Sequence, residues 1–253
     1  MTNITYITQR SLTLGADAPP LIGFRAADLS VFPGLAGHYM LGNGGFGADE
    51  QLRNLATEGA SGNLTRIGGA ASTDQVTATV NKAAGFQTGI SEATAMTFAV
   101  AMYRTNIGEP QIMIVGGGGT THHSSAAFWT SGDNLRVGGL NGTGSWNPLA
   151  FSQAAHDMSK ISVFVGSISA TELTLGSRLA GVWTETTGAI SGRTLGGGTM
   201  RIGASQWGNV YDPQSPSVIA EAAIFNQALS SGDRAALAEA IEANLIACGI
   251  DVN

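Results

Sequence analysis

Residues 218–253 constrain the fold of this chain more tightly than any other stretch. Ser217-Val218-Ile219-Ala220-Glu221-Ala222-Ala223-Ile224-Phe225-Asn226 is rich in strand formers and stops at a polar turn residue. Ser230 and Asp233 follow at capping-box spacing, with Asp in place of the usual Glu or Gln. Leu237, Ile241 and Leu245 then recur every four residues as one apolar stripe, and Gly249 stands where a helix would stop. Everything earlier reads as strands and Gly-rich turns. One strand followed by one closing helix is therefore a marker of topology.

The stretch upstream supplies short strands separated by turn signals. Met96 to Tyr103 alternates Met96, Phe98, Val100 and Met102 against Thr97, Ala99, Ala101 and Tyr103, a period of two with one strongly apolar face. Gln111 to Val115 is a continuous apolar run ending in four glycines, the pattern of a buried strand. Ala126 to Thr130, a turn over Ser131 to Asn134, and Leu135 to Val137 form a predicted hairpin. Further strands are predicted at 37–41, 161–165, 172–175, 180–184, 193–195 and 200–203. No repeat period appears, which disfavours a propeller or solenoid. Many short strands at such spacing predict an all-β, two-sheet antiparallel jelly-roll sandwich with one C-terminal helix. Residues 1–34 differ, because Ala18-Pro19-Pro20 and Phe32-Pro33-Gly34 break regular structure twice. They are read as an apolar arm that packs on a domain or a neighbouring chain, with the domain spanning 35–253.

Composition removes several function classes. Twelve basic residues against eighteen acidic ones give a net charge of −6, with no run of Lys or Arg, so a phosphate-tracking nucleic-acid surface is not expected. Charged residues make up 12% of the chain, about half the usual share, and leave Ser, Thr, Asn, Gln and Gly to cover the surface. Such a surface suits sugar contact or burial in an assembly. Cys248 is the only cysteine, which excludes an internal disulfide and is read as a small apolar packing residue. No basic and apolar leader opens the chain and no apolar run reaches membrane-span length, so neither export nor membrane insertion is expected.

The order of these signals resembles the laminin-G-like, or concanavalin-A-like, jelly-roll superfamily. Gly34-Leu35-Ala36-Gly37-His38-Tyr39 stands where that family opens its first strand, and Gly62-Asn63-Leu64-Thr65 falls at a loop resembling D-L-S-G-N-G. Met96-Thr97-Phe98-Ala99-Val100-Ala101 looks like the central F-T-I-S-A-W strand, with Met102 in place of the frequent tryptophan. Met200-Arg201-Ile202-Gly203 is similar to L-R-I-G, and Glu221 to Ser230 to the closing E-V-A-I-Y-N-R-A-L-S before a helix. The resemblance covers about 35–253 and implies the sandwich. The superfamily includes lectins, adhesion modules, glycosidases and virion surface proteins, so it leaves function open.

Catalytic motifs are missing. Glycosidases of that superfamily place paired acids on one strand in a pattern like Glu-x-Asp-x-x-Glu, whereas Glu172 and Glu185 each stand alone. Gly42-Asn43-Gly44-Gly45-Phe46-Gly47 matches the dinucleotide fingerprint formally, but no β-α-β context or acidic residue follows at the required distance. No G-x-S-x-G elbow exists, and Cys248 has no neighbouring base. No catalytic residue and no cofactor are expected. Asn209, Asp212 and Asp133 form no dense run of oxygen ligands, so no metal is expected either.

Binding candidates are aromatic and polar. Trp129 and Trp183 lie in strand patterns and are expected in the core. Trp146 with Asn147, and Gln206, Trp207, Asn209, Tyr211 and Asp212, sit in loop-like polar contexts. Stacking on a sugar face, contact between subunits and plain loop packing all suit them. His122 and His123 form a polar loop tip that joins this set. The reading is a non-catalytic virion surface protein of a bacteriophage, made in the host cytoplasm, decorating the capsid or associated with the tail. Its expected partners are other virion subunits or its own copies, a trimer being the leading guess, and a cell-surface glycan. The alternatives are a bacterial carbohydrate-binding or adhesion module and, third, a glycoside hydrolase.

Overall fold

The structure, a computed structural model, describes residues 28–41, 52–56, 62–68, 71–72, 77–81, 83–103, 110–116, 126–204, 216–247 and 250–253. A short 3-10 turn at Leu29–Val31 precedes β1 (Leu35–Met40), β2 (Thr65–Ile67), β3 (Ala71–Ser72), β4 (Ala78–Val80) and β5 (Gly85–Ser91). Then come β6 (Met96–Tyr103), β7 (Gln111–Gly116), β8 (Ala126–Ser131), β9 (Asn134–Leu140) and β10 (Trp146–Ser152). The chain closes with β11 (Ile161–Ile168), β12 (Glu172–Leu179), β13 (Val182–Ala189), β14 (Thr199–Gly203), β15 (Ser217–Phe225) and α1 (Ser231–Ala247). One sheet has eight strands in the order β13-β12-β11-β6-β15-β4-β3, with β1 also pairing β15. The other has seven, β10-β9-β8-β7-β14-β5-β2, and all pairings within both sheets are antiparallel. The expected two-sheet sandwich with one closing helix is the observed architecture.

Pleat alternation explains the layering. On β6, Met96, Phe98, Val100 and Met102 point between the sheets, where Phe98 stacks on Phe128 with centroids 6.4 Å apart. Gly166 of β11 leaves room there: a Cβ would sit 3.0 Å from the Phe128 ring. The other face of β6 carries Ala99 and Ala101, and β15 adds Ala220 and Ala223. These small side chains let α1 lie close, burying Leu237, Ala238, Ile241 and Leu245. Each fully buried aliphatic side chain of this kind contributes about 1.5–3 kcal/mol of transfer free energy.

The helix is started and clamped as its sequence dictates. Ser230 Oγ accepts from Asp233 N at 3.2 Å and donates to the Asp233 carboxylate at 2.7 Å, so aspartate completes the cap. Arg234 donates to both Glu185 oxygens, at 3.0 and 3.1 Å, and Arg178 pairs with Glu242. Burial pushes the Glu185 carboxyl up, but hydrogen bonds from Arg234 and Ser231 outweigh it and hold the group below its ordinary value. Under the helix, β15 has a bulge between Ile219 and Glu221 that turns Ala220 and Glu221 both toward α1. Glu221 there meets His38 Nε2 of β1 at 2.7 Å and Asn244 Nδ2 of α1 at 3.1 Å.

Four local expectations change. Residues 193–195 are not a strand; Arg193 instead turns inward and donates to Glu92 at 2.6 Å. Ala180 and Gly181 form a turn with positive φ of 50° and 78°, so the strand begins at Val182. Trp129 is buried as expected, but on the outer face of the seven-stranded sheet rather than between the sheets. Trp183, also expected in the core, is only partly buried, beside α1 on the outer face of the eight-stranded sheet. Leu29 and Phe32 pack on the helix-bearing face, Phe32 meeting Phe225 edge-on at 6.5 Å. The rest of the expected arm, 1–27, lies outside the described residues, as do Cys248 and Gly249.

Candidate functional site

Of the nine candidate side chains, Trp146 and Asn147 fall within the described residues; Gln206, Trp207, Asn209, Tyr211, Asp212, His122 and His123 lie outside them. Trp146 is not a loop residue. It opens β10, the edge strand of the seven-stranded sheet, and pairs with Leu140 of β9. Leu149 and Phe151 of the same strand pack against the inter-sheet core, so alternation puts Asn147 with them and Trp146 on the outer face.

On that face Trp146 meets Trp129 of β8, with ring centroids 5.7 Å apart and planes tilted by 42°. Glycine makes the approach possible. A Cβ on Gly138 would sit 2.8 Å from Trp146 Cζ2 and 2.9 Å from the Asn147 carbonyl oxygen, so the indole lies across bare backbone. The partly buried Trp146 ring, laid across Gly138 and backed by the buried Trp129 ring, forms an aromatic shelf.

The turn that delivers Trp146 is internally locked. Asn141 Oδ1 accepts from Thr143 N at 3.0 Å, Thr143 Oγ1 at 2.8 Å and Ser145 N at 2.9 Å. Asn141 Nδ2 donates to Asn147 Oδ1 at 3.3 Å, giving Asn147 a bracing role. The 190–198 segment then staples the turn from outside: Gly142 N donates to Ser191 O at 2.8 Å, and Thr194 Oγ1 to Asn141 O at 2.7 Å. That segment is itself anchored by Glu92, which accepts from Arg193 and, at 3.0 Å, from Gly196 N. Burial lowers the Arg193 guanidinium against the opposing pull of Glu92. A side chain held this way loses little entropy on meeting a ligand.

Two arginines share the face. Arg136 lies between the core residues Leu135 and Val137, so it points outward, directly across from Trp129. Its Nε is buried and has no hydrogen-bond partner. Arg201 lies between Met200 and Ile202 in the same way, and its Nε donates to Gln87 Oε1 at 2.9 Å. Gln87 in turn donates to Met200 O at 3.0 Å and to Thr199, which fixes the guanidinium's orientation. Sequence reasoning passed over both arginines and Trp129 as site residues. The available signal was the phase of alternation: a charged residue flanked on both sides by core residues belongs to the opposite face. Among the described residues no three potential metal ligands gather.

No family model and no curated protein matches the chain. Solved structures do. The receptor binding domain of botulinum neurotoxin C/D mosaic serotype aligns with a TM-score of 0.56 at 12% identity, covering 81% of this chain and 51% of that one. The binding domain of Paraclostridial Mosquitocidal Protein 1 gives a TM-score of 0.58 at 12% identity, with 83% and 52% covered. A botulinum neurotoxin type C structure gives 0.57 at 10% identity, with 86% and 53% covered. The chain therefore spans about half the length of each. At these identities the likeness is one of fold: this chain has the β-sandwich found in those toxin binding domains.

Proposed function

We propose that the chain is a non-catalytic glycan-recognition domain whose binding surface is the outer face of the seven-stranded sheet around Trp146. The observation that carries this reading is the braced, partly buried Trp146 ring lying across Gly138 and backed by Trp129. Apolar sugar faces stack on such rings, while the surrounding amides and hydroxyls suit sugar hydroxyls. Glycoside cleavage needs two carboxyls about one bond, and the strands of that sheet carry no Asp or Glu to supply them. The fold neighbours are consistent with it. Cell entry of botulinum neurotoxin type C depends on interaction with two ganglioside molecules, which are glycolipids.

The setting we propose is the virion surface, with self-association through residues 1–34; low charge, the lack of disulfides and the apolar arm support it. Deleting 1–27, which keeps Leu29 and Phe32 on the helix-bearing face, should lower the solution mass to that of a monomer, and an unchanged assembly state would remove the arm's role. The glycan reading is tested on an array of immobilised oligosaccharides. The intact chain should retain a defined subset without releasing products. Retention of none, or cleavage of any, would overturn it.

A further inference from the structure

A strand at the edge of a sheet offers unpaired N–H and C=O groups to any other chain, and folded domains ordinarily blunt such edges. Most edges of this sandwich are blunted. β3 has two residues and β2 three. β10 carries Pro148, which has no N–H to donate. The free side of β1 is closed, because Leu55 N donates to His38 O at 2.8 Å and Asn54 Nδ2 to Ala36 O at 2.9 Å. β13 has none of these guards. It runs for eight residues without Pro, Lys or Arg, and pairs β12 in unbroken register. Its one charged side chain, Glu185, is taken up by Arg234, and Val182 at its head is 62% exposed.

The phase of the ladder identifies the open groups. Just beyond β13, Ile190 N donates to Thr171 O at 3.1 Å, continuing the register in which Ala189 faces Glu172. Hydrogen bonding alternates along an antiparallel strand, so Thr184, Thr186 and Gly188 turn their N–H groups toward β12. Trp183, Glu185, Thr187 and Ala189 turn theirs away, toward a side where no described strand pairs.

The chain itself contains a matching segment. Residues 2–14 hold neither Gly nor Pro, and Ile4, Thr5, Tyr6 and Ile7 are strand formers. Arg10 is the only charged side chain before Asp17, whereas β12 and α1, beside the open edge, set Glu172, Asp233, Glu239 and Glu242 against Arg178 and Arg234. The described residues begin at Asp28, and Leu29 and Phe32 pack on the same helix-bearing face, Phe32 against Phe225 of β15. β15 lies four inter-strand steps from β13, about 19 Å, with α1 seated over β6, β11 and β12 between them. A copy's own arm would have to climb over α1 to reach β13, while a neighbour's arm meets that edge directly.

We infer that residues 2–14 of a neighbouring copy add to the β13 edge as an extra strand, extending the eight-stranded sheet across the subunit boundary. The inference rests on the self-association reading and names the surface that receives the arm. Donor and acceptor lie toward opposite edges of one sheet, which makes the contact head-to-tail, the kind that builds rings when the rotation closes.

The test is amide hydrogen exchange on the intact chain, resolved to single residues, at concentrations where it is assembled and where it is monomeric. Assembly should slow exchange at Glu185 and Thr187 about tenfold or more and leave Thr184 and Thr186 nearly unchanged. Thr187→Pro, which removes an outward donor and no bond to β12, should lower the solution mass to that of a monomer, whereas Thr187→Val should not. A monomer at every concentration would overturn the self-association reading and the inference with it. Assembly with Glu185 and Thr187 exchanging as in the monomer, or an assembled Thr187→Pro chain, would overturn the inference alone. Protection that persists in the monomer would put a copy's own arm on the edge and remove the neighbour's role. The exchange series on the unsubstituted chain gives its answer even if Thr187→Pro fails to fold.

Discussion

Glu221→Ala is expected to destabilise the domain by about 3–5 kcal/mol, the usual cost of breaking a buried pair from one side. The Glu221 side chain is fully enclosed between β1, β15 and α1, and one of its oxygens engages both His38 Nε2 and Asn244 Nδ2. Removing it takes a buried acceptor away from His38 and from Asn244 and opens a void beneath the helix. Against a typical total stability of about 5–15 kcal/mol, that loss should move the urea midpoint far to the left. Replacing His38 and Glu221 together with apolar residues should be less damaging than the sum of the single changes, because the buried imidazole leaves with its partner and only the Asn244 contact is broken. A Glu221→Ala loss below about 1 kcal/mol would show that the bulge on β15 does not depend on this contact.

Gly138→Val is expected to weaken glycan binding by about thirtyfold or more, although Gly138 offers no side chain to a ligand. Its Cβ position is already within 2.8 Å of the Trp146 ring, 2.9 Å of the Asn147 oxygen and 3.2 Å of Pro148 Cα, so the indole must leave the shelf. Loss of a central aromatic anchor costs about 2 kcal/mol or more, roughly thirtyfold in affinity. Gly138→Ala should give a smaller loss in the same direction. Calorimetric titration of an array-selected glycan would measure both. Full affinity in the valine variant, with the domain folded, would separate Trp146 from the binding surface.

The closing helix was legible because its signals are local: the Ser230–Asp233 cap and the stripe of Leu237, Ile241 and Leu245 lie within sixteen residues. The face of β6 was legible for the same reason, since alternation needs no partner. β10 was not, because Pro148 and Asn147 argue against a strand; the proline is tolerated on an edge strand, where one side needs no ladder donors. The strand expected at 193–195 failed because Arg193 is claimed by Glu92, 101 positions away. The aromatic candidate Trp146 could be picked out from its neighbours, and the structure adds what composition cannot: Gly138 beneath it, Trp129 beside it, and the Asn141 turn behind it. Arg136 and Arg201 become a pair only when β7 and β8 are placed between their strands.

The most direct test follows the four tryptophan indole N–H signals of the isotope-labelled protein by NMR while a retained glycan is titrated in. The Trp146 signal, assigned by its disappearance in Trp146→Ala, should shift in proportion to occupancy, and that of Trp183 on the opposite layer should stay still. A saturating glycan that leaves Trp146 unmoved, or moves Trp183 in its place, would contradict the assignment of the binding face.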